Sequence, residues 1–185
     1  MNKIAFTTSI PIEIIYAAQK IPVDLNNIFI ASERSSEMVE LAEEAGYPRS
    51  TCGWIKGLYR AVLENPVEAV IAVMQGDCSN TQALMETLQL KGVSMIPFAY
   101  PFDRDRQSLQ DQFNKLMQYF GVSYEQVRTA KKELDRIRLL CIELDLLTWQ
   151  RNLISGYENH YYLVSSSDFF GRLRDFKLGA GWVKV

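Results

Sequence analysis

The chain has 185 residues, with 20 basic and 22 acidic side chains, a formal charge of -2 and 48% hydrophobic residues. This length suits one compact unit able to bury a sizeable core, and a balanced charge without long blocks of either sign argues against nucleic acid or an anionic membrane surface as partner. Three cysteines, at 52, 78 and 141, are too few and too odd a set for a secreted disulfide scaffold, while no stretch reaches transmembrane length and no secretory segment precedes Pro11; the expectation is a cytoplasmic chain with free or metal-bound thiols.

In chain order, "KIAFTTSI" reads as a strand and "PIEIIYAAQKI" as a helix opened near Pro11. "NNIFIAS" is the next apolar run and reads as a second strand, followed by a helix in "SSEMVELAEEAGYP" with Ser35 as its cap. "WIKGLYRAVLENP" has helical spacing up to Pro66, "EAVIAVMQG" reads as a buried strand, "NTQALMETLQLKG" as a helix capped by Asn80, and "VSMIPFAYP" as a strand end. This alternation predicts an α/β fold: a small, mainly parallel, Rossmann-like sheet of about four strands flanked by helices. From "DRDRQSLQDQFNKLMQYFG" onward the pattern becomes long, charged and amphipathic, broken at Gly121 and Ser123, with a turn and a further helix expected in "ISGYENHYYLVSSSDFFGRLRDF". The division is therefore an α/β cysteine-loop subdomain over 1–104 and a helical extension packed on it over 105–185, in a single compact unit.

In an open parallel sheet, ligands bind outside the carboxyl ends of the strands, where loops meet helix N-termini and their unpaired amide donors. Cys52, just before a helix, and Cys78, between a strand and a helix, both fall in such places. Their wide separation lacks the compact C-x-x-C signature, and composition alone favours two buried structural cysteines over two ligands. Cys141, inside "RIRLLCIEL", reads as an inert core thiol. Thiol hydrolysis needs a general base, and the one histidine, His160, stands in the remote "YENHYY" segment. No G-x-G-x-x-G or G-x-x-x-x-G-K-[ST] follows the first strand, and a zinc site would want more Cys and His. Arg104 and Arg106 of "DRDR" read as part of a solvated helix cap rather than a phosphate grip, and the aromatic group "GYENHYYLV" as packing. Glu13, after the first strand, is a candidate catalytic carboxylate at the same sheet edge as the thiols; the alternative is simple first-turn stabilisation of its helix.

Four segments, in order, carry a family likeness: "IAFTTSIPIEIIYAAQKIPVDL", "YPRSTCGWIKGLY", "VIAVMQGDCSNTQALMETL" and "ISGYENHYYL". The chain resembles the N-terminal half of the 2-hydroxyacyl-CoA dehydratase family, which includes the 2-hydroxyglutaryl-CoA dehydratase D-component and benzoyl-CoA reductase subunits. The resemblance implies a [4Fe-4S] cluster held by three cysteines, two matching Cys52 and Cys78 and the third lying in a second, similarly folded domain, for which 185 residues leave no room. Cys141 does not fall where that third ligand would. The family commonly has an acidic residue directly after the second cysteine, whereas Asp77 precedes Cys78 here and Ser79 follows. What the resemblance further implies is a lyase of anaerobic metabolism: one electron passes to an acyl-CoA thioester, giving a ketyl radical that can lose an otherwise inert hydroxyl, with an ATP-dependent activator protein as electron donor and a second subunit or domain as partner. The competing expectations are a non-catalytic binding or assembly module of the same fold without a cluster, and, on fold analogy alone, a flavin- or nucleotide-binding protein.

Overall fold

The computed structural model describes residues 2–182. The elements run β1 (Lys3–Phe6), α1 (Ile12–Ala17), β2 (Ile21–Asp24), α2 (Leu25–Ala31), α3 (Ser35–Glu44), α4 (Gly53–Glu64), β3 (Ala69–Gln75), α5 (Asn80–Leu90), β4 (Met95–Ala99), α6 (Arg106–Phe120), α7 (Tyr124–Trp149), α8 (Gly156–Ser165), a 3-10 turn (Phe169–Gly171) and α9 (Leu173–Trp182). The four strands form one all-parallel sheet in the order β2-β1-β3-β4, with Ala5 facing Val23 on one side and Val70 on the other. The α/β architecture, the four-stranded sheet and the late helices are those expected from the alternating pattern.

Both faces of the sheet are covered, which explains why β3 reads as the unbroken apolar run "AVIAV" rather than an alternating one. Its side chains divide with period two: Ala69, Ile71 and Val73 join Ile4, Phe6, Ile96 and Phe98 beneath α1, α6, α7 and α9, whereas Val70 joins Ala5 beneath α2 to α5. Burying each Val or Ile of this run stabilises the fold by roughly 1.5–3 kcal/mol. Pro22 and Pro97 lie in β2 and β4, the two edge strands, where a missing N–H leaves no ladder bond unmade.

One element differs from the sequence reading. "NNIFIAS" belongs to a helix, α2, and the second strand is the preceding "IPVD". The cause is local: the Asp24 carboxylate accepts a hydrogen bond from the Asn26 N–H at 2.9 Å, capping α2 directly at the end of the strand. Smaller shifts occur at two helix starts, where Ser35 and Asn80 are first helical residues behind Arg34 and Ser79. The "DRDR" segment is a solvated cap, with Asp105 accepting from the Ser108 N–H at 2.7 Å. Capping boxes at Ser123/Gln126 and Ser155/Glu158 open α7 and α8, and Gly121, at φ 65°, closes α6.

The last segment is fastened to the sheet through Asp168, buried at 6% exposure. Its carboxylate accepts from the backbone N–H groups of Asp24 at 2.8 Å and Phe170 at 2.9 Å, and its carbonyl accepts from the Tyr16 hydroxyl at 3.1 Å. Burial, which outweighs these hydrogen bonds, pushes the Asp168 carboxyl up to about 6. The folded state therefore keeps a proton that the unfolded chain releases near pH 4, so this group's contribution is full at acid pH and is lost as pH rises through about 6. Between pH 4 and pH 7 the loss is about 2 kcal/mol. Urea unfolding of wild type and Asp168→Asn at both pH values should show the difference between them moving in the variant's favour by about that amount; a pH-independent difference contradicts the assignment.

Candidate functional site

The strand order reverses between β1 and β3: the chain leaves β1 toward β2 on one side and returns to β3 on the other. Their carboxyl ends therefore frame the crevice where ligands bind in open α/β sheets. Thr7 closes this point, its N–H donating to the Ile71 carbonyl at 3.2 Å and its hydroxyl accepting from the Val73 N–H at 3.1 Å. Helix α4 runs into β3 and α5 leads out of it, so both helices place their N-termini at this carboxyl rim, and both pack on the same face of the sheet.

Cys52 is the residue capping α4 and Cys78 lies two residues before α5. Both are free and exposed. A groove of about 360 Å³ connects their loops: Thr51, the neighbour of Cys52, lines one wall and Asn80 the other, with Tyr47, Ile55 and Thr87 between them. The Asn80 side-chain amide donates to the Cys78 sulfur at 3.6 Å. The structure thus brings the two sequence-predicted thiols to one rim and one face. Cys141 is elsewhere, on the buried face of α7, where burial pushes its thiol up.

Two anchors hold the Cys52 loop. Lys56, only 3% exposed, donates to the Glu43 carboxylate at 2.6 Å and to the Arg49 carbonyl at 3.2 Å, tying the loop to α3. The Trp54 indole N–H donates to the Asn26 side-chain oxygen at 2.6 Å, and the Asn26 amide donates onward to the Thr7 carbonyl at 2.9 Å. Trp54 also meets Phe29 edge to face at 5.4 Å. At Gly57 an added Cβ would lie 2.3 Å from that Phe29 ring, so only glycine lets α4 approach α2 this closely. The Cys78 loop is set by Gly76, at φ 90°, packed against Tyr100.

Glu13 stands at the start of α1, on the opposite layer from the cysteine loops. Its carboxylate accepts from Arg138 of α7 at 2.7 Å, and the same guanidinium nitrogen donates to Asp135 at 2.9 Å. Glu13 thus shares the carboxyl edge of the sheet with the thiols but lies on the other face. Sequence reasoning missed Asn26, Lys56 and the Gly76–Tyr100 contact. For Lys56 a signal existed, a lysine among the apolar residues of "WIKGLY"; Asn26 and Tyr100 act through contacts distant in sequence.

Exposed thiols are soft donors of the kind that suit iron. Among the described residues no group of three or more His, Cys, Asp or Glu side chains is placed to hold a metal ion. None of the described helices is long and apolar enough to cross a membrane.

No curated protein matches the chain. The family model described as 2-hydroxyglutaryl-CoA dehydratase, D-component matches residues 7–176, a span that takes in both cysteine loops and the helices behind them. On that match the chain belongs to the 2-hydroxyglutaryl-CoA dehydratase D-component family.

Proposed function

We propose that the chain is a component of a 2-hydroxyacyl-CoA dehydratase, with Cys52 and Cys78 as its ligands to a [4Fe-4S] cluster completed by a second subunit or domain. The observation that carries this reading is the pair of exposed thiols at the N-termini of α4 and α5, on one rim and one face of the sheet, with Thr51 and Asn80 beside them lining one groove. When bound, such a cluster supplies one electron at low potential to an acyl-CoA thioester, which allows the 2-hydroxyl to leave. The chain's own residues hold and tune the ligands. Asn80 directs an amide N–H at the Cys78 sulfur, an interaction of the kind that adjusts the potential of a thiolate-bound centre, and Lys56 with Trp54 fixes the Cys52 loop. An ATP-dependent activator protein serves as electron donor, and the reducing cytoplasm is the compartment in which such thiols stay free. In this reading residues 1–104 present the cysteine loops and the helices of 105–185 cover the other face of the sheet. Glu13, engaged by Arg138, braces α7 against α1 rather than acting on substrate.

A second reading, a binding or assembly module that kept the fold without a cluster, is favoured by the absence of a third donor among the described residues. Anaerobic incubation with iron and sulfide, alone and with a cysteine-bearing dehydratase subunit, separates the two. The expected result is brown, sulfide-containing protein in the presence of that subunit, with iron content falling at least about tenfold in Cys52→Ser or Cys78→Ser and unchanged in Cys141→Ser. Iron uptake indifferent to both thiols, or none even with the subunit, supports the module.

A further inference from the structure

The end of β2 joins the Cys52 loop to the last segment of the chain. On one side, residues 167–171 dock along this edge strand. The Asp24 N–H donates to the Asp168 carboxylate at 2.8 Å, the Asn27 side-chain amide donates to the Ser167 hydroxyl at 3.0 Å, and a Cβ added at Gly171 would lie 2.6 Å from Ile21. On the other side, the Asp24 carboxylate accepts from the Asn26 N–H at 2.9 Å and from the Asn26 side-chain amide at 2.7 Å. That amide also donates to the Thr7 carbonyl at 2.9 Å, so its oxygen is the atom left for the Trp54 indole, which donates to it at 2.6 Å. Trp54 stands two residues after Cys52, in the first turn of α4. An unbroken chain of hydrogen bonds thus runs from Asp168 through Asp24 and Asn26 to the Cys52 loop.

The far end of this chain is built under strain. Phe169 and Phe170 both hold positive φ, 52° and 55°, in a region that residues with a Cβ rarely occupy. Such backbone persists only where its surroundings over-determine it, and it gathers at clamps and switches. Here the Asp168 carboxylate accepts from the Phe170 N–H at 2.9 Å, the Tyr16 hydroxyl donates to the Asp168 carbonyl at 3.1 Å, and the Phe169 ring is fully buried against Phe176. The titratable groups facing Asp168 are Asp24, from the end of β2, and Tyr16, from α1. Neither offers a positive charge, and the Asp24 carboxylate opposes ionisation of its neighbour.

We infer that Asp168 is a positioning residue for Cys52, setting the Cys52 loop from the outer edge of β2 through Asp24, Asn26 and Trp54. Protonated, Asp168 holds the strained turn and the Asp24 backbone without a second buried charge. Ionised, it sets that charge beside Asp24, the residue that orients Asn26, and so loosens the hold on Trp54. The Cys78 loop has no share in this route, being set by Gly76 and Tyr100. The inference concerns a thiol and its loop, so it stands apart from the cluster reading.

Alkylation of the full chain by iodoacetamide, read at each cysteine by mass spectrometry after digestion, tests this without metal or partner. Every thiol reacts faster as pH rises, so the quantity compared is the Cys52 rate in wild type divided by that in Asp168→Asn. The ratio should rise roughly threefold or more through the pH at which Asp168 titrates, about 6, while the ratios at Cys78 and at buried Cys141 stay flat. On an Asn26→Ala background the same ratio should lose its step, although Asp168 still shifts the urea midpoint with pH. Trp54→Phe, at an exposed side chain and keeping a ring against Phe29, should also remove the step. If Asp168→Asn does not fold, wild type divided by Trp54→Phe should carry the same rise. A Cys52 ratio flat with pH, a step shared equally by Cys78 or Cys141, or a step that survives Trp54→Phe overturns the inference.

Discussion

Gly76→Ala is expected to lower stability by roughly 3 kcal/mol, well beyond the roughly 1 kcal/mol expected of Gly92→Ala. Both glycines hold positive φ, 90° and 79°, where a Cβ strains the backbone. They differ in what the new methyl would meet: nothing lies within 4 Å at Gly92, whereas at Gly76 the Cβ of Tyr100 stands 2.7 Å away. Tyr100 has little room to yield, because its hydroxyl donates to the Ser9 carbonyl at 2.8 Å and its ring packs edge to face on Phe98 at 5.1 Å. The excess over Gly92→Ala therefore measures how firmly the end of β4 presses on the turn that leads to Cys78. Urea midpoints of the two variants give it directly, and equal losses would mean that the turn is shaped by φ alone. Because Cys78 follows Gly76 by two residues, the same substitution should also displace the thiol and reduce metal uptake in protein that remains folded.

Much of this arrangement was legible in the sequence because it is periodic. The run "AVIAV", bounded by Pro66 and Gly76, reads as a strand covered on both faces, and the position of each cysteine between a regular segment and the next helix put it at the carboxyl rim. The mistaken strand at "NNIFIAS" shows where periodicity fails: a short apolar run suits either element, and the deciding interaction was the Asp24 cap just before it. The residues that position Cys52 were hidden for a different reason. Asn26 contributes by bridging Trp54 and Thr7, a junction of three segments that no local pattern reveals. Lys56 is buried only because Glu43, thirteen residues earlier, lies within reach. The aromatic segment of α8 was read as packing, and that holds for Tyr162, which meets Phe176 edge to face, but not for Tyr157 and Tyr161, which remain largely exposed.

The second large effect concerns the thiols themselves. If Cys52 and Cys78 act on one ion, the second sulfur binds at the effective concentration set by the fold, so removing either one forfeits the gain of the pair, about 100-fold or more in affinity. Two unrelated surface cysteines would instead bind weakly and independently, and losing one would leave the other unaltered. Cys141, on the buried face of α7, takes no part in either case. A soft probe ion exposes the difference without a partner subunit, since Cd(II) bonded to thiolate gives an ultraviolet charge-transfer band. Anaerobic titration of the full chain with Cd(II), in wild type and in the three single Cys→Ser variants, should show one tight site lost in Cys52→Ser and in Cys78→Ser and kept in Cys141→Ser; tight binding that survives either of the first two substitutions would contradict a shared thiol site.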